Sequence, residues 1–224
     1  NSIQNKEFSV TVTLRPTQLT HDPFLPGQYA NNITIDFEYT DLLSGSSDGM
    51  TGILSLNVSG LYYDVEYLGQ GMYRVTLNTS VFGNVGQYIL NASISYSGGY
   101  YEADAVDIFA LTVSTRNTQL GYESPDETAY LENFTILVTY TDDSSGEGIS
   151  GASIIVSSDP LTLVLNTDYW VSETSLGEYT ILLNSSSLGP PGDYSLNVTA
   201  SKSGAPYYAT VVKSINARVI ERPT

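Results

Sequence analysis

Apolar and polar residues alternate along most of the chain with a period of two. In residues 32–39, for example, the apolar side chains of Ile33, Ile35, Phe37 and Tyr39 are separated by polar ones. Such alternation predicts β-strands with one buried and one solvated face. No stretch keeps a helical period over three turns. The strands predicted in this way lie near residues 8–14, 32–39, 54–58, 73–77, 88–96, 100–114 and 134–140.

The sequence also repeats itself. Ser9–Leu19 returns as Ala110–Leu120, and 29–41 returns as 130–142, both at an offset of 101 residues. Residues 71–91 return as 177–197 at an offset of 106, so a net insertion of five residues is expected in the second copy, within 158–175. Arg222-Pro223-Thr224 repeats Arg15-Pro16-Thr17, so we expect the chain to belong to a longer tandem array. The predicted domains are residues 1–114 and 115–224.

Each copy has about seven short predicted strands separated by turn signals, which is the strand count of an immunoglobulin-like sandwich. The expected fold is all-β: two tandem immunoglobulin-like antiparallel β-sandwiches. Tyr88 and Tyr194 each open the penultimate strand of a copy, behind a turn glycine. This is the position of a tyrosine corner, whose hydroxyl ties an inter-sheet connection to backbone. An ordinary core tyrosine is the alternative.

Several runs resemble the bacterial and archaeal Ig-like repeats of invasin-type and surface-layer proteins. They are Phe134–Asp142, Gly148–Ile154, Gly177-Glu178-Tyr179 and Pro191–Tyr194. The resemblance covers most of both copies and rests mainly on turn glycines and strand alternation. It implies a stiff extracellular module of a cell-surface protein. The many tyrosines, few lysines and glycosylation motifs are more similar to archaeal surface proteins than to bacterial ones.

Charge and composition restrict the partners and the chemistry. The chain has 24 acidic and 8 basic residues, a net charge of -16 and no cysteine. Nucleic acids and anionic membranes require clustered basic residues, so neither is an expected partner, and direct membrane insertion is not expected. Disulfides and cysteine-ligated zinc are excluded. The expected partners are neighbouring Ig-like repeats of the same chain and other cell-surface proteins or glycans, without a cofactor.

Seven asparagines stand in the Asn-x-Ser/Thr motif that accepts N-linked glycans. Three of the positions occur in both copies, and the strand register places the asparagines on the polar side of their strands. A bulky sugar is tolerated only on such outward positions. The alternative is that Asn, Ser and Thr simply form the solvent face of a lysine-poor sheet. The candidates are Asn32, Asn57, Asn78, Asn91, Asn133, Asn184 and Asn197.

Enzymatic activity is not expected. Gly45-Ser46-Ser47-Asp48-Gly49 matches the nucleophile-elbow string, but that motif needs a following helix and a histidine. His21, the single histidine, is predicted to lie in a loop. The expected function is a non-enzymatic structural or adhesive module of an extracellular, surface-layer-like glycoprotein.

A carbohydrate- or calcium-binding accessory module of a secreted enzyme is the alternative function. Oxygen-rich loops suit calcium, and tyrosine rows suit sugar stacking. The solvated acidic loop and the packed tyrosine are the ordinary interpretations of these features. The calcium candidates are Asp41, Asp48, Glu123, Asp126, Glu127, Asp142, Asp143 and Glu147, and the sugar candidates are Tyr62, Tyr63, Tyr67, Tyr100, Tyr101, Tyr207 and Tyr208.

Overall fold

The structure is a computed structural model that describes residues 10, 11, 13–96 and 103–223. The chain divides into two compact units, the first ending at Val113 and the second beginning at Ser114. The predicted turn at Gly98-Gly99 and the pair Tyr100-Tyr101 lie outside the described residues.

Within the described part of unit 1, eight strands form two four-stranded sheets. One sheet has the order β1-β3-β6-β5 and the other has the order β2-β8-β7-β4. The strands are β1 (Thr17–His21), β2 (Gly27–Gln28), β3 (Asn32–Asp41), β4 (Gly52–Leu56), β5 (Tyr63–Gly69), β6 (Met72–Asn78), β7 (Gly86–Tyr96) and β8 (Ala105–Ser114). Short 3₁₀ turns at Gly60–Tyr62 and Thr79–Phe82 join β4 to β5 and β6 to β7.

The described part of unit 2 repeats this arrangement. Its sheets have the orders β13-β14-β11-β9 and β10-β16-β15-β12. The strands are β9 (Thr118–Tyr122), β10 (Thr128–Ala129), β11 (Asn133–Asp142), β12 (Ser153–Ser157), β13 (Tyr169–Ser175), β14 (Glu178–Asn184), β15 (Gly192–Ser201) and β16 (Val211–Ile220). The two-residue strand β10 pairs with β16 in parallel, while β11, β14 and β15 pair antiparallel with their neighbours. A 3₁₀ turn at Ser185–Ser187 joins β14 to β15.

The predicted fold class is confirmed. In unit 1, β1, β3, β5 and β6 form one sheet, and β4, β7 and β8 form the other with the short edge strand β2. Unit 2 repeats this division, which is that of a constant-type immunoglobulin domain, four strands facing three. The alternating residues of each strand point either into the sandwich or to solvent. In β3 and β11 the inward side chains are fully buried: Ile35, Phe37, Tyr39, Phe134, Ile136, Val138 and Tyr140.

Tyrosine hydroxyls tie one sheet of each cysteine-free sandwich to the connections that lead into the strands of the other sheet. Tyr39 donates to the carbonyl of Ala103 at 2.7 Å, and Tyr140 donates to that of Ala209 at 2.8 Å. Tyr179 donates to the carbonyl of Ile149 at 2.6 Å and accepts from the backbone N–H of Ala152 at 2.9 Å. Each ring therefore fills the core while its hydroxyl satisfies backbone groups, which an apolar side chain could not do.

The five-residue difference between the copies lies before an edge strand. The connection from β4 to β5 has six residues, and the equivalent connection from β12 to β13 has eleven, 158–168. Trp170 lies on β13, at the edge of its sheet, and is 40% exposed.

Two predictions from the pattern are wrong. Residues 10, 11, 13 and 14 are not in a strand, and Val10 and Leu14 are exposed. By the repeat offset of 101 they correspond to residues 111–115, which include the end of β8. His21 is not a loop residue but ends β1, opposite Phe37 of β3.

Candidate functional site: asparagine acceptors on the outer sheet faces

Four of the seven candidate asparagines form two cross-strand pairs. Asn32 of β3 lies directly opposite Asn78 of β6, and Asn133 of β11 lies directly opposite Asn184 of β14. In unit 1, Asn78 Nδ2 donates to Asn32 Oδ1 at 3.0 Å. The same pairing at the same place in both units shows that the duplicated motifs share a register as well as a sequence.

The later member of each pair also caps a 3₁₀ turn. Asn78 Oδ1 accepts from the backbone N–H of Ser80 at 3.0 Å. Asn184 Oδ1 accepts from the backbone N–H of Ser186 at 3.0 Å and from its hydroxyl at 2.8 Å. An asparagine at this position satisfies a donor that the first turn leaves without a partner. These two side chains therefore have a structural role whether or not they carry a sugar.

The other sheet of each unit holds the remaining candidates. Asn91 of β7 lies beside Asn57, which follows β4: the Asn57 N–H donates to the Asn91 carbonyl at 3.0 Å, and the Asn91 N–H donates to Asn57 Oδ1 at 2.8 Å. In unit 2, Asn197 of β15 lies opposite Ser157.

All seven asparagines are at least partly open to solvent. Asn32, Asn57 and Asn133 are exposed, and Asn78, Asn91, Asn184 and Asn197 are half-buried. They point outward because successive side chains of a strand point to opposite faces, and a neighbouring side chain of each packs in or against the core. An amide nitrogen in such a position is reachable by a glycosyl-transferring enzyme, which a core asparagine is not.

The hydroxyls of Tyr88 and Tyr194 both donate to backbone four residues upstream. Tyr88 reaches the carbonyl of Asn84 at 2.9 Å, and Tyr194 reaches that of Pro190 at 2.5 Å. Each residue lies near the start of its strand, just after the connection from the other sheet. Gly189 has a φ of +121°, and a Cβ there would lie 2.9 Å from the Tyr194 hydroxyl, so this turn requires glycine.

Two of the acidic candidates are buried in ion pairs. Asp41 binds Arg15, and Asp142 accepts from Arg116 Nε at 2.5 Å. Burial by itself would raise the pKa of Asp142, but the hydrogen bonds from Arg116 and Ser144 outweigh it and lower the pKa to about 2. In Asp41, likewise, burial is opposed by hydrogen bonds from Leu43 and Ser44 and by the charge of Arg15, and the pKa falls below its usual value.

Two of the other acidic candidates have partners of their own. Asp143 accepts a hydrogen bond from Gln119, and Glu127 lies 3.5 Å from Arg218 on the surface. Across residues 10, 11, 13–96 and 103–223, no three histidine or carboxylate side chains converge as metal ligands.

The enzyme-like features belong to turns and to the core. Ser46 Oγ accepts from the backbone N–H of Asp48 at 3.0 Å, in a turn flanked by left-handed Gly45 and Gly49. His21 Nδ1 lies 2.6 Å from Asp107 Oδ2, with its ring packed 4.7 Å from that of Phe109. Ser46 and His21 therefore have separate structural partners.

The sugar-stacking candidates are largely held by the protein itself. Tyr63 accepts from the backbone N–H of Leu56 at 3.2 Å, and Tyr67 donates to the carbonyl of Met50 at 3.3 Å. Tyr62 is 40% exposed, while Tyr208 packs against the core of unit 2. Among the described candidates, Tyr63 and Tyr67 therefore make hydrogen bonds within the protein, and Tyr208 contributes to core packing.

One surface feature was not predicted. Ile89, Val106 and Ile108 lie on the outer face of the β2-β8-β7-β4 sheet and are 65%, 54% and 64% exposed. We call these three residues the outer apolar patch. The continuous apolar run 108–111, which makes both faces of β8 apolar, is the sequence signal for it.

Comparisons with known proteins bear on the fold. No protein-family model matches the sequence, and the curated proteins contain no match. Among solved structures, domains A168-A170 of titin match with a TM-score of 0.50 and 11% identity, over 92% of this chain and 67% of that one. This likeness shows the fold alone: a tandem of Ig-like domains.

Two further solved structures are similar at lower scores. The N-terminal eight Ig domains of Down Syndrome Cell Adhesion Molecule match with a TM-score of 0.37 and 12% identity, over 91% of this chain and 25% of that one. Invasin, a bacterial integrin-binding protein, matches with a TM-score of 0.34 and 12% identity, over 91% of this chain and 40% of that one.

Among the described residues, no helix has the length and apolar character needed to cross a membrane.

Proposed function

We propose that the chain is a non-enzymatic structural or adhesive module of an extracellular, surface-layer-like glycoprotein, with its two Ig-like domains forming part of a longer array. Its partners are then the neighbouring Ig-like repeats and other surface proteins or glycans. Asn32, Asn57, Asn78, Asn91, Asn133, Asn184 and Asn197 are the proposed glycan acceptors, and Tyr88 and Tyr194 are the proposed tyrosine corners.

The placement of the asparagines carries this proposal. Seven acceptor motifs lie on outward or half-exposed positions, and three of the positions are duplicated with the same register. Glycosylation of Asn-x-Ser/Thr marks a protein that passes through a secretory route. The acceptors therefore support an extracellular location.

The use of the polar groups supports a structural role. The buried aspartates are neutralised by arginine, and the buried tyrosine hydroxyls bond backbone across the sandwich. Catalytic sites instead present titratable groups in a cleft, with perturbed pKa values and an accessible reacting position. Asp142, whose pKa is about 2, is buried under Arg116 and serves the turn that follows β11.

Mass spectrometry of the protein from its native host tests the glycoprotein component. We expect sugar on several of the seven asparagines and none on asparagines outside the motif, such as Asn31. Unmodified peptides at all seven positions would contradict it.

Single-molecule stretching tests the structural component. Pulled between its ends, the chain is expected to unfold in two discrete events, each releasing about 35 nm for roughly 100 residues. A gradual extension without discrete events would contradict a mechanically resistant module. A rise of several degrees in melting temperature at millimolar calcium would instead favour the calcium-binding accessory module.

A further inference from the structure

The outer apolar patch surrounds one of the proposed glycan acceptors. Asn91 lies directly opposite Ile108 of β8, and Ile89 is two residues before it on the same face of β7. Val106 lies opposite Ser93, one step further along this face. Directly opposed residues on antiparallel strands have Cβ atoms about 5 Å apart, and diagonal neighbours are about 7 Å apart. A group attached to Asn91 therefore starts between the three exposed apolar side chains.

The equivalent surface of unit 2 has the acceptor without the two isoleucines, while Val212, 57% exposed, stands in the place of Val106. Asn197 lies directly opposite Ser214, and Ser195 precedes it by two residues. The hydroxyls of Ser195 and Ser214 lie 3.0 Å apart. Unit 2 thus places two serines where unit 1 places Ile89 and Ile108, and it supplies an internal control for any effect of the isoleucines.

Exposed, adjoining Ile and Val side chains on a sheet face usually mark a covered surface. Protein docking on this face would have to accommodate Asn91 at the centre and Asn57 beside it, both in acceptor motifs. A sugar needs no such accommodation, because it is attached at the centre itself. One face of a pyranose ring carries mainly C–H groups, and it loses little hydration when it packs on apolar side chains.

We propose that Asn91 carries an N-linked glycan whose first sugar packs on Ile89 and Ile108 and covers the outer apolar patch. This inference rests on the proposed function. In the modification, a bond forms between Asn91 Nδ2 and the anomeric carbon of the sugar. The bond from that carbon to the phosphate oxygen of an activated glycosyl phosphate donor breaks, and one Nδ2 proton leaves with the phosphate product.

The test uses the full chain made in a secretory host whose N-linked glycans begin with N-acetylglucosamine. Ser93→Ala removes the acceptor motif but keeps Asn91, and Ser93→Thr preserves the motif as the conservative control. Ile89→Ser combined with Ile108→Ser gives unit 1 the serines of unit 2. Thr199→Ala and Thr199→Ser form the matched pair in unit 2. Site occupancy is measured by mass spectrometry, and sugar–protein contact is measured by nuclear Overhauser effects.

We expect occupied Asn91 in the wild type and in Ser93→Thr, with contacts from the first sugar to the methyl groups of Ile89 and Ile108. Amide hydrogen exchange near residue 91 should be about tenfold slower than in Ser93→Ala. The double serine variant should keep its glycan and lose this protection. Thr199→Ala should change exchange near residue 197 by less than about twofold relative to Thr199→Ser.

The contrary outcomes separate this inference from the proposed function. Occupied Asn91 without methyl contacts, or equal exchange in Ser93→Ala and Ser93→Thr, would overturn the packing. Sugar at other acceptors but not at Asn91 would overturn the inference and leave the glycoprotein proposal standing. Sugar at none of the seven would overturn both. Dimerisation of Ser93→Ala that the serine pair abolishes would assign the patch to a second copy of the chain.

Discussion

Arg116 Nε donates to Asp142 Oδ2 at 2.5 Å, and Arg15 makes the equivalent contact with Asp41 one repeat earlier. Each arginine precedes the first strand of its unit, and each aspartate ends the second long strand. The Asp142 side chain is 3% exposed and also accepts hydrogen bonds from Ser144. The pair therefore joins the segment before β9 to the end of β11, where the following turn begins.

Arg116→Ala is expected to destabilise unit 2 by about 3 kcal/mol, because it leaves a buried carboxylate without its counter-charge. The matched control is Arg218→Ala, which removes a surface pair with Glu127 and should cost about 0.5 kcal/mol or less. Urea unfolding followed by the fluorescence of Trp170, the single tryptophan, measures both variants in unit 2. Equal losses in the two variants would contradict the role of the buried pair.

The same pair predicts acid sensitivity. The pKa of Asp142 is about 2 in the folded chain, below its ordinary value of 3.8. A lowered folded pKa stabilises the fold above the unfolded pKa, and this contribution disappears as the pH falls towards 2. It amounts to about 2 kcal/mol. The difference in unfolding free energy between wild type and Arg116→Ala should therefore be constant from pH 5 to 7 and shrink towards pH 2. A gap independent of pH would show that charge is not its cause.

The strand pattern predicted the long strands well because burial on one face imposes a period of two. It failed for residues 10, 11, 13 and 14, where alternation is present but the chain is not in a strand. It also failed for His21, whose half-buried ring packs against Phe24, Phe37 and Phe109. Strand pairing and aromatic packing join residues far apart in sequence, which a local pattern does not encode.

The candidate acceptors likewise have some features that the local pattern predicts and others that depend on long-range contacts. Strand parity was sufficient to predict that Asn91 and Asn197 point outward, because parity is a local property. The cross-strand pairs Asn32–Asn78 and Asn133–Asn184 depend on the register between strands more than forty residues apart, so they required the structure. The 3₁₀ caps and the outer apolar patch likewise depend on neighbours that the repeat alone does not identify.

Tyr179→Phe is expected to lower the stability of unit 2 by about 1–2 kcal/mol, because it leaves the Ala152 N–H and the Ile149 carbonyl without their partner. Burial raises the pKa of Tyr179, which agrees with a neutral hydroxyl acting as donor and acceptor. Tyr122→Phe is the control, since this ring is 39% exposed. Similar melting temperatures for both variants would contradict the importance of the inter-sheet hydroxyl.

Tyr194→Phe tests the proposed corner separately. Removing the hydroxyl breaks its bond to the Pro190 carbonyl and should cost about 1 kcal/mol, with hydrogen exchange accelerated at the start of β15. Exchange in β11 should change only by the global loss of stability. An exchange pattern unchanged at residues 190–196 would argue that Tyr194 acts only through packing.

Asn184 and Asn133 separate the structural role of an acceptor asparagine from its modification. In protein from a host that attaches no glycans, Asn184→Ala should destabilise unit 2 by about 1 kcal/mol, because the Ser186 N–H loses its cap. Asn133→Ala, on the exposed strand position directly opposite, should change stability by about 0.5 kcal/mol or less. Asn184→Asp should retain most of the stability, since a carboxylate caps equally well while destroying the acceptor amide. If Asn184→Ala and Asn133→Ala were equally mild, the cap would contribute little, and the position of Asn184 would have to be explained by the glycan alone.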